Sequence, residues 1–171
     1  MALLKDKFAS AKQDWTTPDD LFDKLNREFH FDFDLAASEK NTKCKRFFTK
    51  SDDALTKDWN GTCWLNPPYG STNDKLVDWV IKSFHESKKD HCTVVMLIPA
   101  RTNTKWWHEY VMKACEVRFI CGRPKFGDAI HGLPQPLALI VFKEHDGETK
   151  FSSFHMNAIK IKDNKELDFN G

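Results

Sequence analysis

The chain has 171 residues, enough for one domain with a sizeable core. Its 26 basic and 25 acidic residues leave a net charge of +1, which excludes a global field for attracting nucleic acid; any such contact needs a local basic patch. No apolar stretch reaches membrane-spanning length, and the first 14 residues lack the apolar block of a secretory signal, so a cytoplasmic protein without membrane contact is expected.

Residues 1–13 are expected to form an arm, residues 14–145 the main domain, and residues 146–171 a C-terminal extension packed on it. In Asp14-Trp15-Thr16-Thr17-Pro18-Asp19-Asp20, Thr17 is suited to cap a helix, Pro18 to its first turn, and the two acids to its dipole. Leu21, Phe22, Leu25 and Phe29 recur at helical spacing and carry that helix to about Glu28. A capped helix start does not exclude a ligand contact by the same residues. Phe31 to Ala37 alternates and then turns small, which predicts a strand delivering Asp32 or Asp34 to its end, where a ligand can come close to small residues. There is no glycine-rich dinucleotide loop here. Ser38–Lys45 is expected as a short helix and Phe47-Phe48 as a short strand. Ser51 to Leu55 is expected as a loop or helix turn, and Trp59-Asn60-Gly61 as the turn into the next strand.

That strand, Cys63 to Leu65, runs into Asn66-Pro67-Pro68-Tyr69-Gly70. Proline has no N–H for a ladder and pushes the preceding residue out of the helical region, so the strand must stop in a stiff, extended loop. Carboxyl ends of strands are where open α/β sheets bind ligands. The Asn66 side-chain oxygen and a proline carbonyl would offer two acceptors to one space, with the flat face of Tyr69 beside them. Such an arrangement suits a planar, amine-bearing group: acceptors on both amine hydrogens favour the pyramidal form and free its lone pair. A rigid turn with Tyr69 capping the core is the purely structural alternative.

After Gly70, Ser71–Asp74 resembles a helix start, with Leu76, Val77, Val80 and Phe84 on the buried face and Lys82, Lys88 and Lys89 toward solvent. Thr93–Ile98 is unbroken apolar, as in a strand covered on both faces. Thr104–Lys113 is expected to be helical, Val117–Ile120 a strand, Cys121–Pro136 a long loop, and Leu137–Phe142 another strand. Phe151, Phe154, Ile159 and Ile161 mark an edge strand or hairpin in the tail. Alternating strands and helices predict an α/β domain with a mostly parallel central sheet. The five cysteines include no Cys-x-x-Cys pair and the histidines no ligand spacing, so reduced thiols and no metal are expected.

The chain resembles the phage-type (Dam-type) DNA N-6-adenine methyltransferases. The resemblance rests on Trp15-Thr16-Thr17-Pro18, Phe31 to Ala37, Asn41, Cys44, Phe47-Phe48-Thr49, Asp53-Ala54-Leu55, Trp59 and Asn66 to Gly70. It continues through Leu97 to Thr102, Trp106-Trp107-His108, Gly122-Arg123 and Phe126. It implies a Rossmann-like class I methyltransferase fold, and methyl transfer from S-adenosylmethionine to the N6 amine of adenine in double-stranded DNA. The short distance from Asp34 to Asn66 requires abbreviated second and third strands, a departure from larger adenine methyltransferases. A monomer or weak dimer is expected. The resemblance also implies restriction-modification biology in a phage or prophage. Asn66, Pro67, Pro68 and Tyr69 would then hold the flipped base. Thr16, Thr17, Pro18, Asp34, Ala36, Ala37 and Asp52 or Asp53 would meet the cofactor. Arg101, Thr102, Lys105, Trp106, Arg118, Arg123, Lys125 and Phe126 would face DNA, with Arg123 the choice for base readout, while one of Trp106 and Trp107 is core. Competing readings are an amino methyltransferase for RNA or a protein glutamine, and a non-catalytic DNA-binding relic.

Overall fold

A computed structural model describes residues 16–70, 76–127 and 131–156. A helix, α1 (Asp19–Phe29), leads into a two-residue strand, β1 (Phe33–Asp34), and a second of equal length, β2 (Arg46–Phe47). Two 3-10 turns, Lys50–Asp52 and Ala54–Thr56, precede β3 (Gly61–Leu65). Next come α2 (Leu76–Glu86), β4 (Cys92–Pro99), α3 (Lys105–Glu109), β5 (Glu116–Cys121), β6 (Leu137–Phe142) and β7 (Lys150–His155).

The strands form one sheet in the order β2-β1-β3-β4-β6-β5-β7. It is mostly parallel, and β6 alone runs against its two neighbours. Side chains alternate across a strand, so β4 feeds two cores. Val94, Met96 and Ile98 join Leu76, Trp79, Val80 and Trp107 beneath α2 and α3. Val95 and Leu97 join Leu21, Phe22, Leu25 and Trp64 beneath α1. Helices therefore cover both faces, which is why β4 from Val94 to Ile98 and β6 throughout are apolar without interruption. The architecture is consistent with a Rossmann-like fold.

Several expectations are corrected by local chemistry. Thr17 is not the helix cap: Pro18 holds that position and α1 has no side-chain capping bond. Ser38–Lys45 is a turn, not a helix, because Asn41 folds its side-chain oxygen back onto the Ser38 N–H at 2.6 Å and competes with helical pairing. The predicted Thr104–Lys113 helix breaks at Tyr110 into α3 and a 3-10 turn, Val111–Lys113. Lys82 does not simply face solvent; it pairs with the buried Glu86 at 2.7 Å. The tail contributes an edge strand, β7, parallel to β5. The helix start at Ser71–Asp74 and the residues from Asn157 onward lie outside the described residues, among which no helix is long and apolar enough to cross a membrane.

Candidate active site

β1 pairs on one side with β2 and on the other with β3. The chain thus reverses direction across the sheet at β1, and the crevice at the carboxyl ends of β1 and β3 is the switch point where such sheets take ligands. Asp34 lies opposite Trp64 in the register, so Asp34 and Asn66 emerge at the same end of adjacent strands. Asp32, the other candidate, is exposed near the far end, where it accepts the Thr62 N–H at 3.2 Å and pairs with Arg46.

Asp34 is buried, with 4% of its surface exposed. Its carboxylate accepts the backbone N–H of Lys43 at 3.0 Å and of Ala36 at 3.4 Å. Burial outweighs these donors and raises its pKa from 3.8 to about 6. The Lys43 ammonium contributes little to it, being hydrogen-bonded to Asp19 instead. Burial, then the charges of Asp34 and Asp32, push the nearby Cys44 thiol up to about 12, so it stays a neutral thiol. A desolvated carboxylate with backbone donors is a receptor for a cationic amine. No residue identity could have pointed to Lys43, because its contribution is a main-chain N–H.

The proline loop begins where β3 ends. Pro67 is buried, while Asn66, Pro68 and Tyr69 are half-buried. The Tyr69 hydroxyl lies 2.8 Å from Asn66 Oδ1 and 2.9 Å from the Leu97 carbonyl of β4. Burial raises the pKa of the phenol, which keeps its proton. At the other end of the amide, Asn66 Nδ2 donates to Thr17 Oγ1 at 3.2 Å. Thr17, read from sequence as a cap, is buried and engaged with the loop. Thr16 binds elsewhere, its carbonyl accepting the Gly127 N–H at 3.0 Å. Ala36 and Ala37 are half-buried beside Asp34, and Ala37 donates to the Phe48 carbonyl. Asp52 and Asp53 are both exposed. Asp52 closes a capping box with Thr49, whose hydroxyl and then N–H hold its carboxyl below the ordinary range, and Asp53 takes a left-handed conformation at φ 50°.

The candidate DNA residues divide. Pro99 of β4 pairs with Leu137 of β6, and β5 ends alongside, so the segments after β4 and β5 emerge at the same end of the sheet as Asn66. Arg101, Thr102, Lys105, Arg123 and Lys125 are exposed there. Trp107 is core and Trp106 half-buried. Gly132 lets the long loop fold back tightly, since a Cβ there would sit 2.3 Å from the Arg123 carbonyl. Two expectations do not hold. Phe126 is 3% exposed and packs in the core beneath α1, so its ring is not offered to a ligand. Arg118 is a structural cation, bonded to Glu28 at 2.6 and 2.7 Å and to Glu116 at 2.7 Å. Among the described residues, no cluster of His, Cys, Asp and Glu could hold a metal ion.

The mostly parallel sheet and its switch-point loop define an α/β protein of the kind whose ligand sites lie at the carboxyl edge. Over residues 5–160 the chain matches the family described as DNA N-6-adenine-methyltransferase (Dam), and it belongs to that family. It is 38% identical over 164 residues to a DNA N-6-adenine-methyltransferase of Haemophilus phage HP1, covering 90% of this chain and 92% of that one. It is also 32% identical over 109 residues to a DNA N-6-adenine-methyltransferase of Escherichia phage T1, covering 62% of this chain and 44% of that one.

Proposed function

We propose that the protein transfers a methyl group from S-adenosylmethionine to the exocyclic N6 amine of adenine in DNA, on a base flipped into the Asn66–Tyr69 pocket. The observation that carries this reading is the Asn66 carboxamide, fixed at both ends at the switch point of a chain from this family. When bound, S-adenosylmethionine supplies an electrophilic methyl group. Asn66 Oδ1 and the Pro67 carbonyl accept the two amine hydrogens and hold the lone pair toward that methyl. The Tyr69 ring, with its hydroxyl anchored, stacks on the flipped base, a contact worth roughly 1–3 kcal/mol. Acceleration comes from placement and from acceptors aimed at the charge that develops on nitrogen.

Asp34 fits the cationic amino group of the cofactor, because a buried carboxylate that lacks a strong cationic partner gains most from one. Thr16, Thr17, Pro18, Ala36 and Ala37 line the approach, and Asp52 or Asp53 offers a carboxylate to hydroxyl donors. Arg101, Lys105, Arg123 and Lys125 supply phosphate contacts, with Thr102 and Trp106 beside them.

The test incubates the protein with tritiated S-adenosylmethionine and unmethylated double-stranded DNA, then digests the DNA and identifies the nucleoside by mass spectrometry. N6-methyldeoxyadenosine is expected, and Asn66→Ala should abolish it while cofactor binding persists. A methylated RNA or protein product, or bound DNA without transfer to any acceptor, would overturn the reading.

A further inference from the structure

Two carboxylates compete for one ammonium beyond the carboxyl end of β1. Lys43 stands in the turn between β1 and β2, and its main-chain N–H donates to the Asp34 carboxylate at 3.0 Å. Its side chain is largely buried, 13% exposed, yet its ammonium turns away from Asp34 and donates to Asp19. Asp19 is the first residue of α1, and its side chain is 87% exposed. Among the described residues, Asp19 is the only ion-pair partner of Lys43.

Burial alone would favour the other partner. Opposite charges attract more strongly where water is excluded, and Asp34 is 4% exposed with only two backbone N–H donors, from Lys43 and Ala36. Lys43 is itself largely buried, so turning inward would cost it little further hydration. Asp19 holds the ammonium from a fixed place, the first turn of α1, where the helix dipole favours an anion. The amino group of S-adenosylmethionine is an ammonium of the same kind as that of Lys43. Asp34 carries one charge, and only one of the two cations can neutralise it.

We infer that Asp19 is a positioning residue for cofactor binding: by holding the Lys43 ammonium, it keeps the chain from neutralising Asp34 itself and reserves that carboxylate for the amino group of the cofactor. The inference rests on the methyltransferase reading above, with Asp34 as the receptor for that amino group. In sequence, Asp19 reads as an acid suited to a helix dipole, which conceals the second use.

The test measures S-adenosylmethionine binding by calorimetry, above the titration range of Asp34, for Asp19→Asn, Lys43→Met and the two together. Asp19→Asn frees Lys43 and should weaken binding roughly 10-fold, within the usual range of coupling between sites. Lys43→Met keeps the stem and the main-chain N–H but removes the competing charge, and it should bind at least as tightly as wild type. The double variant should regain the affinity that Asp19→Asn loses. 5′-Methylthioadenosine, which has the nucleoside and the sulfur but no amino group, should bind all four proteins alike. A strut that merely ties α1 to the turn predicts the opposite: Lys43→Met would weaken binding as much as Asp19→Asn, the double variant would not recover, and the analogue would suffer too. Any of these outcomes, or unchanged affinity in Asp19→Asn, overturns the inference. A second readout needs no cofactor. In protein labelled with 13C-aspartate, the carboxyl resonance of Asp34, assigned by its loss in Asp34→Asn, should titrate at about 6 in wild type. Its midpoint should fall in Asp19→Asn, as Lys43 reaches it, and should not fall in the double variant; an unmoved midpoint in Asp19→Asn would also overturn the inference. Wild-type protein that binds no S-adenosylmethionine would sink the functional reading instead, and the Asp34 resonance would still report on Lys43.

Discussion

Asp34 and Glu86 are equally buried, each 4% exposed, and they sit in opposite electrostatic states. Burial alone would raise the pKa of Glu86. Lys82 at 2.7 Å, Lys89 at 2.8 Å and the Trp59 N–H at 3.0 Å outweigh it and hold the carboxyl below its ordinary value. Asp34 has two backbone donors, and burial raises it to about 6. Glu86 is satisfied within the fold and ties α2 to the turn before β3. Asp34, at the switch point, is left short of a cation. A buried carboxylate that its own chain does not neutralise marks a place where a ligand completes the electrostatics.

The largest effect that could break this contrast is on cofactor affinity. Asp34→Asn should weaken S-adenosylmethionine binding by about 100-fold in calorimetry, the scale of removing one partner from a buried charge pair. Equal affinity in wild type and variant would place the ammonium elsewhere. The next effect lies in the pH dependence of stability. The pKa of Asp34 is raised by folding, so its contribution is fully present below pH 3.8 and is lost as pH rises through about 6. The stability of wild type minus that of Asp34→Asn should therefore fall by up to about 3 kcal/mol across that window, as measured by urea unfolding. S-adenosylmethionine binding should tighten over the same window, because the ionised form receives the cation.

Glu86→Gln should cost about 2 kcal/mol of stability, since it strips a charged acceptor from two half-exposed lysines and a buried N–H, while cofactor affinity holds. A loss of cofactor binding there would mean that Glu86 also serves the site. The smallest effect is expected at the surface. Arg123→Ala should reduce the salt slope of DNA binding by about 1 without changing cofactor affinity.

How much of this was legible depended on whether a residue's role is local. The proline stop after β3 and the double-sided burial of β4 follow from neighbours in sequence, and both were readable. Asp32 and Asp34 alternate onto one face of the same short segment, and only the tertiary structure separates an exposed carboxylate from a buried one. Thr17 looked like a cap because capping is the local use of a threonine before Pro; its actual partner lies in another element. Phe126 and Arg118 looked available because aromatic and basic residues clustered near a loop, whereas packing claimed the ring and two glutamates claimed the guanidinium. Nor could Leu137–Phe142 declare its direction, since a fully apolar run reads alike in a parallel or an antiparallel strand.

The place of β6 beside β4 also has a consequence for synthesis. β4, the apolar centre of the sheet, pairs with β3 before it in the chain, but its other edge is closed by residues ending at Phe142. At about 5–20 residues per second, roughly 2 to 9 seconds separate the making of that edge from the making of its cover. During that interval the ribosome displays an open, hydrophobic strand edge of the kind that recruits other chains. The yield of active protein should therefore depend on translation speed and chaperone supply across residues 100–142, a stretch that carries most of the surface proposed to meet DNA.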